Sequence, residues 1–438
     1  MNITLSNPFI IIFLIGTIGS FLLDQVLEFI DYRARQKNGG MIPPEIAAIP
    51  ASKTFDTQRL SKICSYENDK YFCWIPSAIL GLCLTMVLVF GGFYPWLFGT
   101  VCSWTGFPQG WVSSCVSSLL FLILSGVPSS IIGIPFGLYR EFVIEKRYGF
   151  SKMTLGLWLT DMIKGMILST ILAAILIAVM SILIITFQTL WWIFVTAVMF
   201  VFTIIMQVIY PLIIAPMFNK FTPLEDGELK DKITALMEHL GFRSNGIFVM
   251  DASKRSGHSN AYFGGLGKSK RIVLYDTLIS QLTTDELVAV LGHELGHYKL
   301  HHITRKLLIM IPMELLLMFV LYKCATAVSL YSGFGFNLSQ DQVMNVQIIG
   351  FFLANIVFGD WGDLFTPITK FFSRRDEFAA DRFSAKLTGN AESLCSALVK
   401  LNSENLSELL PPKIYVLWNY DHPTLTERVK ALKETVQH

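Results

Sequence analysis

The stretch "LGHELGHYKLHH", Leu291 to His302, holds four histidines and one glutamate within a dozen positions. On a helix, His293 and His297 fall on one face, four residues apart. Two neutral imidazoles at that spacing bind one tetrahedral zinc ion, and Glu294 between them is placed to act as a general base toward an attacking water. A helix is expected because Thr283 and Glu286 match a capping box ahead of the run "LVAVLGHELGH". The plain alternative is a polar face on an exposed helix. The apolar "ELVAV" argues against it, since burying His, Glu and His together is costly unless a metal or partners satisfy them. His301 and His302 read as polar residues at a membrane boundary rather than as ligands, and the terminal His438 as incidental.

A catalytic zinc site takes three protein ligands and keeps one position open. "SRRDEFAAD" supplies a third, Glu377, on an expected helix, with Asp381 one turn later to accept a hydrogen bond from a ligating imidazole. The same residues also describe an ordinary charged helix at a membrane boundary. "DHPTLTERVKAL" offers His422 and Arg428, able to stabilise the oxyanion of a tetrahedral intermediate, or equally a plain helix start with a solvated arginine. "SNAYFGG" is a short strand-like piece. Asn260, Ala261 and Tyr262 in it are candidates to hold a peptide as an added strand, or they form a bare hairpin strand.

These residues need a scaffold, and the composition says which kind. Of 438 residues 53% are hydrophobic and only 16% charged, where soluble domains carry about a quarter. The chain is therefore read as embedded in the lipid bilayer. A net charge of +2 and the lack of a basic run give no sign of nucleic acid. Seven scattered cysteines with no CxxC pair give neither a disulfide framework nor a cysteine zinc site.

A membrane helix needs about 20 apolar residues. Seven stretches qualify: Pro8 to Ile30, Ile75 to Phe98, Val112 to Phe136, Thr154 to Phe187, Leu190 to Pro216, Ile303 to Leu330 and Val346 to Phe372. Trp191 and Trp192 suit an interfacial belt. Lys and Arg are rich in 31–74 and 220–306 and absent from 99–111 and 331–345, which places the N-terminus outside the cytosol and the chemistry inside it. The chain divides into 1–216 with five spans, 217–302 with the HELGH helix and two strand-like runs ("NGIFVM", "RIVLYDTL") about a Gly-rich turn, 303–372 with two spans, and the helical 373–438, broken at Pro411 and Pro412. Asp24, Glu28, Asp161, Lys164, Glu314, Asp360 and Asp363 lie within spans, where ionisable groups face a bundle interior or a water-filled cavity.

HELGH, "SRRDEFAAD" and "HPTLTER" in that order, with "PMFNKFTPLEDGELK", "NAYFGGLGKSKRIVLYDTL" and "EKRYGFSKMT", resemble the integral-membrane CaaX prenyl proteases of type 1 over nearly the whole chain. The resemblance implies an all-α polytopic membrane protein. Its seven transmembrane helices would form a hollow barrel around a water-filled chamber, with a zincin-like cytosolic segment containing a small β-hairpin. It implies one Zn2+ per chain on His293, His297 and Glu377, Glu294 as base and Asp381 behind the ligands. His422 and Arg428 would line the catalytic centre, and Asn260, Ala261 and Tyr262 would hold substrate. The implied reaction removes the last three residues of a prenylated CaaX protein, with some members making a second upstream cut. A monomer in the endoplasmic reticulum or inner nuclear membrane is the expected setting. Two departures are visible. "NYDHP" places Asn419 and Asp421 where the family often reads His-Tyr-Ser-His-Pro, and Gly264 follows "NAYF" where an aromatic is usual. Rival readings are a membrane quality-control metalloprotease acting on unprenylated proteins, and a transporter with structural zinc. A free glutamate beside the metal, Glu294, argues against the transporter.

Overall fold

The computed structural model describes residues 5–242, 245–265 and 270–436. Residues 266–269 of "GGLGKSKR" and His438 lie outside them. Among the described residues, seven helices are long and apolar enough to cross a bilayer: Pro8–Asn38, Thr57–Phe90, Trp111–Tyr148, Leu155–Phe187, Trp191–Phe218, His302–Ala325 and Gln347–Thr388. Most run well past the length a bilayer requires and carry their polar ends beyond it. The second span stops at Phe90, not Phe98. Gly91 and Gly92 break it, Gly92 taking a left-handed φ of 72°, and a separate helix restarts at Phe93.

Each span packs against the next in sequence and the seventh closes onto the first, so the helices form a ring. Burial shows that the ring is hollow. In the fourth span the buried residues are Ile177, Ser181 and Ile184, all toward one end. A helix in a solid bundle would bury a stripe along its whole length. The apolar core sits instead at the two ends. One cluster, with Phe13, Leu97, Phe121, Trp191, Tyr331 and Leu353, closes the barrel at the end away from the HELGH helix. A second, with Ile46, Phe55, Tyr66, Phe150, Val399 and Val429, seals the other end under the C-terminal helices Ala391–Glu404 and Leu425–Val436. Trp191 is not an interfacial anchor: it is fully buried and donates to Gln347 at 2.7 Å, because barrel closure turns it inward.

Four of the carboxylates within the spans, Asp360, Asp363, Glu28 and Asp161, have polar partners. Thr17 donates to Asp360 at 2.5 Å, Ser20 to Asp363 at 2.6 Å and Tyr415 to Glu28 at 2.9 Å, while Arg255 grips Asp161 at 2.8 and 3.1 Å.

The segment between the fifth and sixth spans carries more than a hairpin. β1 (Phe221–Pro223), β2 (Ile247–Met250), β3 (Ala261–Gly264) and β4 (Arg271–Tyr275) form one sheet in the order β1-β2-β4-β3. β3 and β4 make the expected antiparallel pair. The runs "IFVM" and "RIVLY" pair in parallel, Ile247 opposite Ile272, and their unbroken apolar character suits strands covered on both faces. β3 is an edge, with no strand on its far side among the described residues. Gly264 in it lies against the fifth span, where an added Cβ would come within 3.1 Å of Pro211 Cβ.

Candidate metal centre

The HELGH helix spans Thr284–Lys299. Thr283 and Glu286 form the capping box, the Thr283 amide donating to Glu286 at 2.8 Å. Glu286 also accepts from Lys400 at 2.8 Å and Ser396 at 2.6 Å, tying the helix start to the C-terminal helices. These contacts outweigh the burial of Glu286 and lower its pKa.

The helix lies along Thr366–Thr388, the end of the seventh span. Glycines allow the approach: a Cβ on Gly292 would sit 2.8 Å from Ser384 Oγ, and one on Gly296 3.1 Å from Ala380 Cα. Ser384 crosses the seam to donate to the Ala289 carbonyl at 2.6 Å. This contact sets Glu377 opposite the two histidines.

His293 Nε2 and His297 Nε2 are 3.2 Å apart, and each lies 3.2 Å from an oxygen of Glu377. Ligand atoms from all three gather within 4.8 Å of one another. Nitrogens bound tetrahedrally at zinc distances stand about 3.3 Å apart, so the donor set fits one such ion. Glu377 Oε2 is buried without a hydrogen-bond partner among the described residues, as expected of an oxygen reserved for a cation.

Behind these candidate ligands, Asp381 Oδ1 is 2.7 Å from His293 Nδ1. Arg428 clamps Asp381 through contacts of 2.6 and 2.8 Å and stands 4.0 Å from Glu377. Burial alone would make His293 less basic, but Asp381 and Glu377 reverse this and raise its pKa to about 9.

His297, the second candidate ligand, has a support that spacing did not suggest. His302 is buried, with Nδ1 3.0 Å from His297 Nδ1 and Nε2 3.8 Å from Asp376, which Arg305 also pairs. His302 is not a bystander at the membrane boundary. His301 takes a left-handed φ of 56° between the two helices, and this turn brings the next residue back onto the HELGH face.

Glu294 lies among His293, His297, Glu377 and His422, and burial raises its pKa. His422 is half-exposed, with Nε2 3.5 Å from Glu377. Its Nδ1 is 2.8 Å from Asp421, whose pKa that contact holds down to about 2. Asp421, noted above as a departure, thus orients His422. Asn260 leads into β3: its carbonyl accepts from Tyr275 N at 3.1 Å and its side chain from Ala261 N at 2.8 Å. Ala261 is buried on β4, Tyr262 stands half-buried beside it, and the strand packs on the HELGH helix.

A helical membrane barrel presenting HExxH beside a glutamate of its last span defines an integral-membrane metalloprotease. Residues 31–220 match the profile described as "CAAX prenyl protease N-terminal, five membrane helices", and residues 223–436 match peptidase family M48. The chain is 34% identical to the human CAAX prenyl protease 1 homolog over 91% of its length and 90% of the relative's. It is 41% identical to CAAX prenyl protease 1 of Saccharomyces cerevisiae over 73% of each. The crystal structure of S. mikatae Ste24p superposes with a TM-score of 0.87 at 34% identity, covering 97% of this chain and 99% of that one. The chain belongs to the CAAX prenyl protease 1 family.

Proposed function

We propose that this protease is zinc-dependent and removes the C-terminal three residues of prenylated CaaX proteins, with a second upstream cut open to the same site. The observation that carries the reading is the convergence of His293, His297 and Glu377 beside the partly buried Glu294. Zinc, when bound, supplies a Lewis acid that polarises the scissile carbonyl and makes water acidic enough to react near neutral pH. The chain's residues do the rest. Glu294 takes the proton of the attacking water and returns it to the leaving amide nitrogen. His422, aimed by Asp421, donates to the developing oxyanion. Asn260, Ala261 and Tyr262 hold the peptide as a strand added to the free edge of β3. Arg428 acts through Asp381, which keeps the His293 ring oriented.

A site carried by a membrane barrel suits a substrate whose prenyl chain partitions into the bilayer. The lysine and arginine distribution favours a lumenal N-terminus and a cytosolic site, in the endoplasmic reticulum or inner nuclear membrane. The chain supplies every proposed ligand itself, which supports a monomer.

Two measurements test this. The purified Glu294→Gln protein should keep its zinc and lose about 10²- to 10⁴-fold in peptide hydrolysis; full activity would overturn the assignment. A prenylated CaaX peptide should be cut and its cysteine-to-serine counterpart left intact. Equal cleavage of both would make the protein a protease of unmodified chains.

A further inference from the structure

β3 begins at Ala261, and the side chain that anchors its approach is His258. The imidazole stacks on Phe150, ring centres 3.9 Å apart and planes within 18°. Its Nε2 is 3.4 Å from Glu145 Oε2 and its Nδ1 is 3.2 Å from Asn405 Oδ1. The same Asn405 oxygen accepts from the Ser259 amide at 3.3 Å, and Thr277 donates to the His258 carbonyl at 3.1 Å.

Glu145 belongs to the membrane barrel. It ends a π-helical stretch, Arg140–Glu145, in the third span. Its second carboxylate oxygen accepts from Tyr66 of the second span at 2.9 Å, and its carbonyl takes the amides of Phe150 and Ser151 at 2.8 and 3.1 Å. The Gly257 amide donates to the Phe150 carbonyl at 2.8 Å, so the turn after the third span and the approach to β3 are laced together. π-turns interrupt the helical ladder and are found mostly at functional positions. Two spans, the cap of Ala391–Glu404 and the lead-in to β3 therefore meet at one ring.

We propose that His258 is a positioning residue for the peptide: it fixes the origin of β3 against the barrel, so that the free edge presents the scissile bond in register with Glu294. The proposal rests on the reading of β3 as the substrate strand. His258 works through the backbone of Ser259 and Asn260. An edge strand with a loose origin must be ordered as the peptide docks on it, and that ordering cost weakens binding.

The test uses the full-length, zinc-loaded protein, a prenylated CaaX peptide and the unprenylated peptide of the same sequence. His258→Ala should raise KM about tenfold, as loss of hydrogen bonds to a charged group implies, with kcat within about threefold and zinc content unchanged. Glu145→Ala should give a similar rise, and adding His258→Ala to it should raise KM little further. His258→Gln, which keeps an N–H toward Glu145, should recover part of the loss. Asn405→Ala removes one partner while leaving the Phe150 stack, and provides a milder variant should His258→Ala fold poorly. An unchanged KM with kcat falling in step with the folded fraction would overturn the proposal, and so would effects of the His258 and Glu145 changes that simply multiply. If the unaltered protein cuts neither peptide, the proposed function fails and this inference with it. If it cuts both alike, only prenyl dependence fails, and the KM comparison still decides the role of His258.

Discussion

His302 separates what a spacing motif can announce from what a site contains. The HExxH pattern fixes two histidines and a glutamate by helical periodicity alone, and those were legible because the period of a helix is known in advance. His302 was not, because it reaches His297 through the left-handed turn at His301, and nothing in "KLHH" states the direction in which the chain leaves that turn. Asp376 was hidden for the same reason: its partners His302 and Arg305 stand on a helix far away in sequence. Partners of this kind hold a ligand's tautomer and orientation, and their loss weakens metal binding by about 10- to 100-fold. His302→Ala should therefore retain the fold but release zinc to a competing chelator at a 10- to 100-fold lower concentration, measured by equilibrium competition. Unaltered affinity would reduce His302 to a packing residue.

At the scale of elements, the site is a seam between two helices, and both its closeness and its anchoring can be tested. Gly296 faces Ala380 at a distance that leaves no room for a side chain. Gly296→Leu should force the helices apart, costing about 1–3 kcal/mol of stability by overpacking and stripping the site of metal, as read by thermal unfolding and zinc analysis. The helix start makes a separate prediction about pH. Glu286 has a folded-state pKa below its ordinary value of 4.5, so its contribution is fully present above that value and fades as pH falls through the depressed one. Glu286→Gln should cost about 2 kcal/mol at pH 7, and the gap from the unaltered protein should close toward acid pH. A pH-independent gap in unfolding midpoints would show that the charge on Glu286 contributes nothing. The capping box was plain in the sequence because its two residues lie three apart. The glycine seam was present in "LGHELG" but silent, since a glycine does not name the surface it is thinned for. The parallel pairing of β2 with β4 was obscured for a different reason: short apolar runs have no period that distinguishes a hairpin from a crossover.

At the scale of the molecule, seven spans could be counted from hydropathy because each exceeds the length that lipid demands. That they close into a hollow ring could not be, since a helix apolar on every side reads alike whether its inner face meets protein or water. Trp191 shows the same limit: an aromatic at the end of a span looks interfacial until closure of the barrel buries it. Orientation is open to a direct check. Trypsin added outside sealed vesicles of endoplasmic reticulum should remove a tag fused to the C-terminus without detergent, because 31–74 and 220–306 carry the lysines and arginines and the opposite loops, 99–111 and 331–345, carry none. A tag protected until detergent is added would invert the topology.

The division of the proposed ligands between the HELGH helix and the seventh span has a consequence for biosynthesis. His293, His297 and Glu294 leave the ribosome before the sixth span, while Glu377 arrives only with the last membrane segment. A nascent chain thus carries an incomplete set of donors until its final helix is threaded into the bilayer and docks through Gly292 and Gly296. On the proposed ligand set, proteolytic competence would be the last property the protein acquires, and an unfinished copy stalled in the membrane would not cut its neighbours.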